Sequence, residues 1–387
     1  MIYFVIGFYL LFLAFKYDVY GSKNESAKKF HYYFALIILI LLAGLRYRIG
    51  GDTCRYMDLY GTDLGYEAEL GGRFQPLWRL LTNALYSISP DFTLFQFVHA
   101  IFLNTVIFSF FRKYSPWVFV CIFLYFIKPY LYLNTETIRQ SLAIAIFLLS
   151  VQACIKRKWG LYYLYVLIAF LFHSGAILLA IVPFLFGRRI DAKNITWICV
   201  FVIVMGLFNY WAPKTGILFI DNLLQQGVKY NENWDDFSIL ARIRILTVQL
   251  LVPIAIYMSG RRWLFRESPL SGFFLFILLV MAVSACLPQY FRFYDFVVIF
   301  AITVCSEIFS RLRALKRVYI PVWMTLMVLY QIGFYQSAEY MGYHFYNRYY
   351  PYYSVLNPQL SPEREAIIYS ENNKWIYYNY PLVELKS

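Results

Sequence analysis

The segment "WGLYYLYVLIAFLFHSGAILLAIVPFLFG", residues 159–187, contains no Asp, Glu, Lys or Arg, yet "KRK" precedes it and "RR" follows it. An apolar run of this length is typical of lipid-embedded helices, because in lipid every backbone N–H and C=O needs a partner within the chain. Basic flanks favour the cytoplasmic side of a membrane. With such flanks at both ends, the segment must enter the membrane and return. We therefore predict two short helices, with the "HSG" turn at 173–175 between them.

The whole chain has this apolar character. Hydrophobic residues make up 61% of the 387 positions and charged residues only 15%, against about 25% charged residues in ordinary soluble domains. This composition excludes a soluble globular protein. Besides the broken pair, apolar runs predict helices at roughly 2–15, 31–45, 91–111, 116–132, 138–155, 195–211, 243–259, 270–287, 292–310 and 318–334.

These runs predict an all-α polytopic membrane protein with about 12 transmembrane segments, including the short broken pair. The stretch 78–89 has scattered polar residues, so we place it as an amphipathic helix at the outer interface. No linker or repeat divides the chain, and we interpret 1–387 as a single integral membrane domain. The irregular outer parts are then loops 46–90 and 212–242 and a C-terminal tail, 335–387.

The net charge of +13 has a topological explanation. More than half of the 35 Lys and Arg residues, but few of the 22 acidic ones, lie in or beside six short segments. Because cytoplasmic loops are enriched in Lys and Arg, these segments predict the cytoplasmic face, and both termini then lie outside. Nucleic acid is not needed to explain the charge. The segments are 16–30, 112–115, 156–158, 188–193, 261–266 and 311–317.

The sequence offers no metal or cofactor motif. The six cysteines show no C-x-x-C spacing, and H-E-x-x-H and P-loop patterns are absent. We therefore expect metal-independent chemistry without a cofactor. Cys54 alone lies in a polar loop, where an impermeant thiol reagent should reach it unless it is occluded or paired with Cys286.

Cations gather at the predicted outer ends of several helices. Arg139 starts one helix, His173 lies at the turn of the broken pair, and Arg292 lies near the start of another helix. Arg139 and Arg292 could be snorkelling anchors, and His173 could bond a carbonyl freed at the turn. Convergence on an anionic substrate explains the set better, because outer arginines are not expected from topology. The stretch "GLRYRIGGDTCRYMDLY", 44–60, adds Arg46, Arg48, Asp52 and Arg55.

The local pattern of 44–60 also favours an anion. Gly50-Gly51 interrupts the helix and allows close approach of the backbone to a ligand. Asp52 is then a natural N-cap for "TCRYMDLY", whose N-terminal N–H groups would attract negative charge. Arginine forks bind phosphate oxygens bidentately without a metal. The simplest chemistry that fits is a metal-independent site for a phosphate leaving group.

Four motifs now resemble a known family, the EpsG-type, Wzy-like bacterial polysaccharide polymerases. They read "RYRIGGDTCRY" (46–56), "NTETIRQSLA" (134–143), "LFHSGAI" (171–177) and "YFRFYDF" (290–296), and they cover most of the chain in order. The chain departs from the family pattern at Gln75-Pro76, where the pattern has Glu-Pro.

The resemblance implies a GT-C-like polymerase architecture in the bacterial inner (cytoplasmic) membrane. Donor and acceptor would be undecaprenyl-diphosphate-linked oligosaccharides, joined on the periplasmic or extracytoplasmic face into O-antigen, capsule or exopolysaccharide. A chain-length regulator is compatible with the sequence, although no feature requires one. The implied catalytic residues are Asp52, His173, Arg139 and Arg292, with either Asp52 or His173 as the base. The implied substrate-binding residues are Arg46, Arg48, Arg55, Gln140, Tyr56 and Tyr294.

Three other functions remain open from sequence. An O-antigen ligase-type glycan transferase would share the donor and differ in the acceptor. A flippase or transporter of lipid-linked glycans should place its cations in a central cavity and show repeat symmetry, whereas here they gather at one face. A purely structural subunit would leave the outer arginines unexplained.

Overall fold

The computed structural model describes residues 2–61, 75–211, 267–311 and 343–372, short stretches within 243–258 and 318–329, and the pair 339–340. Within these residues, five helices are long and apolar enough to cross a membrane, and five shorter apolar helices accompany them. The predicted all-α membrane protein is thereby confirmed. The predicted loop 212–242 and most of the predicted helices 243–259 and 318–334 lie outside the described residues.

The α-helices follow one another through short connections. They are α1 (Ile2–Leu13), α2 (Glu25–Gly44), α3 (Thr53–Asp58), α4 (Pro76–Ile88), α5 (Phe92–Tyr114), α6 (Val118–Ile127), α7 (Tyr130–Thr135), α8 (Ile138–Ile155), α9 (Trp159–Phe172), α10 (Val182–Leu185), α11 (Ala192–Trp211), α12 (Phe274–Cys286), α13 (Asp295–Arg311) and α14 (Pro362–Asn372). Other elements are π-helical turns at Ala14–Val19 and Thr247–Leu251, 3₁₀ segments at Ser174–Ile181, Ser271–Phe273, Pro288–Tyr294 and Phe345–Arg348, and the antiparallel two-residue strands β1 (Glu339–Tyr340) and β2 (Tyr343–His344).

The broken pair over 159–187 is confirmed. Helix α9 ends at Phe172, His173 is extended, and the chain returns as the 3₁₀ segment and α10. The Tyr162 hydroxyl donates to the Leu179 carbonyl at 2.8 Å and ties the outgoing limb to the returning one. The chain thus reverses at His173, as the basic flanks predict.

The prediction of one continuous helix over 116–132 is wrong. Helix α6 stops at Ile127 after 10 residues, and α7 begins separately at Tyr130. Pro129 lies at the break, and proline can neither donate a backbone hydrogen bond nor tolerate the preceding helical turn. Ten residues rise only about 15 Å, so α6 by itself is too short to span the hydrocarbon core.

Two smaller corrections concern helix starts. Helix α2 begins at Glu25, ahead of the predicted 31, because the Asn24 side chain accepts the Ala27 N–H at 2.9 Å and caps it. Helix α13 begins at Asp295, since a 3₁₀ segment takes up 288–294. The predicted amphipathic helix at 78–89 is present as α4, with Trp78 buried and Ile88 75% exposed. Its place at the outer interface stays a prediction.

Aromatic side chains fill the centre of the bundle, and hydrogen bonds define its two ends. The Ser115 and Ser306 hydroxyls are 2.8 Å apart at the end that carries the basic segments. At the opposite end, loop 45–52 contacts the start of α8 and the C-terminal segment. The candidate cations at helix ends therefore lie opposite the basic loops. Fully buried aromatics include Phe108, Phe111, Phe119, Phe123, Tyr125 and Phe147.

Candidate active site

The loop after α2 has an unusual backbone that brings it against other parts of its own chain. Arg48 has φ +49° and Gly50 has φ +103°. A Cβ on Gly50 would lie 2.6 Å from the Thr135 Cβ, so only glycine fits there. The Gly50 N–H donates to the Arg348 carbonyl at 3.0 Å. The close approach expected for a ligand is therefore made to α7 and to the C-terminal segment.

Glu136 occupies the N-terminus of α3. One of its carboxylate oxygens accepts the Gly51 N–H at 2.7 Å and the other accepts the Asp52 N–H at 3.1 Å. The expectation that these N–H groups bind a substrate anion is therefore wrong, because a carboxylate of the chain already accepts them. Asp52 is the N-cap residue, but within the described part of the chain its side chain makes no capping hydrogen bond.

The environment of Glu136 favours its protonated form. The residue is 5% exposed, and burial together with the nearby charge of Asp52 raises its pKa, against the opposing effect of Arg348. Its place in "NTETIRQ", three residues before Arg139, is the sequence signal that could have pointed to it. Glu136 thus links the start of α3 to the start of α8.

Arg139 is held by a neutral partner. Its Nη1 donates to the Gln75 Oε1 at 3.0 Å, and its guanidinium lies 5.6 Å from the centre of the Tyr56 ring. Gln75 is buried, and it stands where the family pattern has a glutamate. An amide orients the guanidinium without neutralising its charge, so Arg139 keeps a full positive charge for an anion.

Tyr56 lies at the centre of the charged groups. Its hydroxyl donates to the Glu136 carbonyl oxygen at 3.3 Å, and its ring packs against Trp78. Burial raises the pKa of Tyr56, the charges of Arg139 and Arg292 lower it, and that of Asp52 raises it. These three predicted site residues therefore lie close enough to Tyr56 to act on it together.

Arg292 is positioned through its backbone. Gln140, buried in α8, donates from Nε2 to the Arg292 carbonyl at 2.7 Å. Among the described contacts Gln140 thus acts as a support for the 3₁₀ segment that carries Arg292. Tyr294, in the same segment, accepts a hydrogen bond at 2.7 Å from Lys128 Nζ. The charge of Arg292 also acts on Tyr132, whose pKa burial raises.

His173 has a defined tautomer. Its Nδ1 accepts the Gly175 N–H at 3.1 Å, so the proton of the neutral ring is on Nε2. A Cβ on Gly175 would lie 3.7 Å from the Phe293 ring, which places the turn beside the segment that carries Arg292. His173 therefore offers a hydrogen-bond donor at the same end of the bundle.

Arg46 and Arg48 are buried behind the other cations. Arg46 is 1% exposed, donates to the Ala43 carbonyl, and burial lowers its pKa to about 10. Arg48 is 4% exposed and forms a bidentate ion pair with Glu365. Burial lowers the pKa of Arg48, but its hydrogen bonds to Glu365 raise it further. Arg55 lies within α3 and is partly exposed.

Cys54 is occluded. All six cysteines are free thiols, which leaves the pairing with Cys286 unmade. Cys54 is only 1% exposed, and burial raises the pKa of its thiol to about 12. Its predicted reaction with an impermeant reagent is therefore not expected in the folded protein, because burial both blocks the thiol and suppresses the thiolate.

The structure brings Arg139, Tyr56, Asp52 and Arg292 together, with His173 beside them. Sequence reasoning missed Glu136 and also Arg348, which reaches Glu136 from the far end of the chain. Among the residues that the structure describes, no three His, Cys, Asp or Glu side chains group as a metal site. The assembled groups can hold an anion, donate hydrogen bonds to it and accept a proton.

One comparison with known proteins is informative. The model of the EpsG family matches residues 29–354, from the first turns of α2 to the segment that follows Arg348. Helix α14 lies beyond the matched region. No curated protein and no solved structure matches this chain significantly.

Proposed function

This chain belongs to the EpsG family, and on that premise we propose that it is a polysaccharide polymerase. Its substrates are undecaprenyl-diphosphate-linked oligosaccharide repeat units. It joins them by metal-independent glycosyl transfer on the extracytoplasmic face of the bacterial inner membrane. The product is a surface polysaccharide such as O-antigen, capsule or exopolysaccharide. The multi-pass helical architecture suits a substrate whose lipid stays in the bilayer.

The observation that carries the proposal is the pair Arg139 and Arg292. Their charges converge on Tyr56 at the end of the bundle opposite the basic loops. Guanidinium groups match the oxygens of a diphosphate in charge and geometry. Placed in advance, they stabilise the charge that develops as the lipid diphosphate departs.

The reaction exchanges one glycosidic bond for another. A hydroxyl on the non-reducing sugar of the incoming unit attacks the anomeric carbon of the growing chain. The new carbon–oxygen bond forms while the bond to the lipid diphosphate breaks, and the electron pair leaves with the diphosphate. A base takes the proton of the attacking hydroxyl.

The tautomer of His173 favours Asp52 as that base. With Nδ1 accepting from Gly175, the ring presents Nε2–H, a donor suited to a phosphate oxygen. Asp52 lies beside Arg139 and Tyr56, and its side chain is not used to cap α3 among the described contacts. We therefore assign proton acceptance to Asp52 and leaving-group contact to His173.

The function is tested with purified protein in lipid nanodiscs and a defined undecaprenyl-diphosphate-linked repeat. We expect a ladder of products spaced by one repeat, with one undecaprenyl diphosphate released for each new linkage. A single transfer to a lipid A core without a ladder would identify a ligase. Movement of the substrate across vesicles without transfer would identify a flippase.

The orientation makes a separate prediction. In a chain whose six cysteines are replaced, the Leu356→Cys variant should react with an impermeant maleimide on intact spheroplasts, since Leu356 is 81% exposed beside the site. The Lys23→Cys variant, on the exposed connection between α1 and α2, should react only after the membrane is permeabilised. The reverse pattern would place the site in the cytoplasm and exclude the proposed donor face.

A further inference from the structure

Helix α14 (Pro362–Asn372), which lies outside the family-matched region, holds the loop after α2. Glu365 of α14 accepts from Arg48 Nε at 3.0 Å and from Arg48 Nη2. The side chains are 4% and 23% exposed, so the pair is largely shielded from water. A bidentate pair in this setting fixes both the position and the direction of the Arg48 side chain.

A second arginine ties α14 to the segment before it. Arg364 is fully buried and donates from Nε to the Asn347 carbonyl at 3.3 Å and from Nη2 to the Pro351 carbonyl. The neighbouring Arg348 carbonyl accepts the Gly50 N–H at 3.0 Å. Helix α14 therefore braces the backbone on both sides of the contact between loop and tail.

Backbone hydrogen bonds extend this contact. The Tyr47 N–H donates to the Tyr353 carbonyl at 2.9 Å, and the Val355 N–H donates to the Leu45 carbonyl at 2.9 Å. Beneath α14, Cys54 of α3 packs against Ile368, and the two side chains are 1% and 0% exposed. The C-terminal segment is thus packed onto the loop that leads into Asp52.

We propose that α14 is a clamp that positions the site, and that Arg48 is a positioning residue and not a ligand of the lipid diphosphate. The clamp holds the loop that carries Asp52 and the segment that carries Arg348, so both face Glu136. Arg48 Nε and Nη2, the edge of the fork that would grip a phosphate, are engaged by Glu365. The effect on activity rests on the proposed polymerase function; the effect on structure does not.

Charge exchange between Arg48 and Glu365 separates a positioning residue from a substrate ligand. We expect Arg48→Glu and Glu365→Arg each to lower the rate of ladder formation at least tenfold, because each leaves two like charges in a shielded place. The double variant Arg48→Glu/Glu365→Arg should recover most of that loss. The control Glu363→Gln, on an exposed position of the same helix, should keep the wild-type rate. A double variant as inactive as Arg48→Glu, with Glu365→Gln at the wild-type rate, would overturn the proposal.

Cys54 reports on the clamp without any activity assay. In a chain whose other five cysteines are replaced, maleimide labelling of Cys54 at pH 8 should be slow, since the thiol is covered and its pKa is raised to about 12. Glu365→Gln, or a stop codon after Ser361, should speed labelling at least tenfold in protein that remains monodisperse. Labelling at the wild-type rate in both variants would refute the clamp. If the wild-type protein makes no ladder, the polymerase function fails, while Cys54 labelling still decides the clamp.

Discussion

Replacing Arg139 by alanine should slow ladder formation by about 10²–10³-fold, the range found when one preorganised donor is removed from a charged transition state. Arg139 is oriented by the uncharged Gln75 and lies over Tyr56, so its charge is available to the departing diphosphate. The measurement is the rate of undecaprenyl diphosphate release by purified variants in nanodiscs. Arg139→Lys should retain part of the activity, because a lysine keeps the charge and loses the fork.

The matched control is Arg112→Ala. Arg112 is also at the end of a long helix, but it lies at the opposite end of the bundle and contacts the Tyr33 hydroxyl. Its removal should leave the release rate within about twofold of wild type, as is usual for surface positions away from a site. A normal ladder from correctly inserted Arg139→Ala protein would show that the anion is held elsewhere.

Asp52→Asn should lower kcat by about 10²–10⁴-fold with little change in KM, the signature of a lost general base. The amide preserves the shape of the side chain and cannot accept the proton of the attacking hydroxyl. His173→Asn should act differently, because asparagine can still accept the Gly175 N–H while the Nε2–H donor is gone. We expect this variant to raise KM as well as lower kcat, since contact with the diphosphate is lost in the ground state and the transition state.

Asp91→Asn is the control for the aspartate. Asp91 caps α5 by accepting the Thr93 N–H at 2.8 Å, and asparagine caps helices about equally well. Its kinetics should match those of the wild type. If Asp52→Asn kept the wild-type kcat while His173→Asn lost nearly all of it, the two assignments would have to be exchanged.

Much of the fold is predictable because its determinants are local. The length of an apolar run and the charge of its flanks place a helix in lipid, and they located the turn at His173 correctly. Helix boundaries depended on finer local chemistry. Pro129 ended α6 earlier than hydropathy alone suggested, and the Asn24 cap moved the start of α2.

The site was only partly predictable. Counting basic segments was enough to gather Arg139, His173 and Arg292 at one end, because alternation of helices leaves few other arrangements. Sequence could not separate arginines that face a substrate from arginines that support the fold. Arg48 and Glu365 are 317 positions apart, and nothing local to "RYRIGGD" indicates that pairing.

Sequence by itself therefore determined that this chain is a multi-pass helical membrane protein of the EpsG type, with its cations at one end. Hydropathy, flanking charge and motif order carry that information, and each acts over short range or by simple counting. Only the tertiary structure decided that Glu136 holds the start of α3 and that Glu365 engages Arg48. The physical reason is that burial and pairing of a charge depend on groups distant in sequence, which only packing brings within hydrogen-bonding distance.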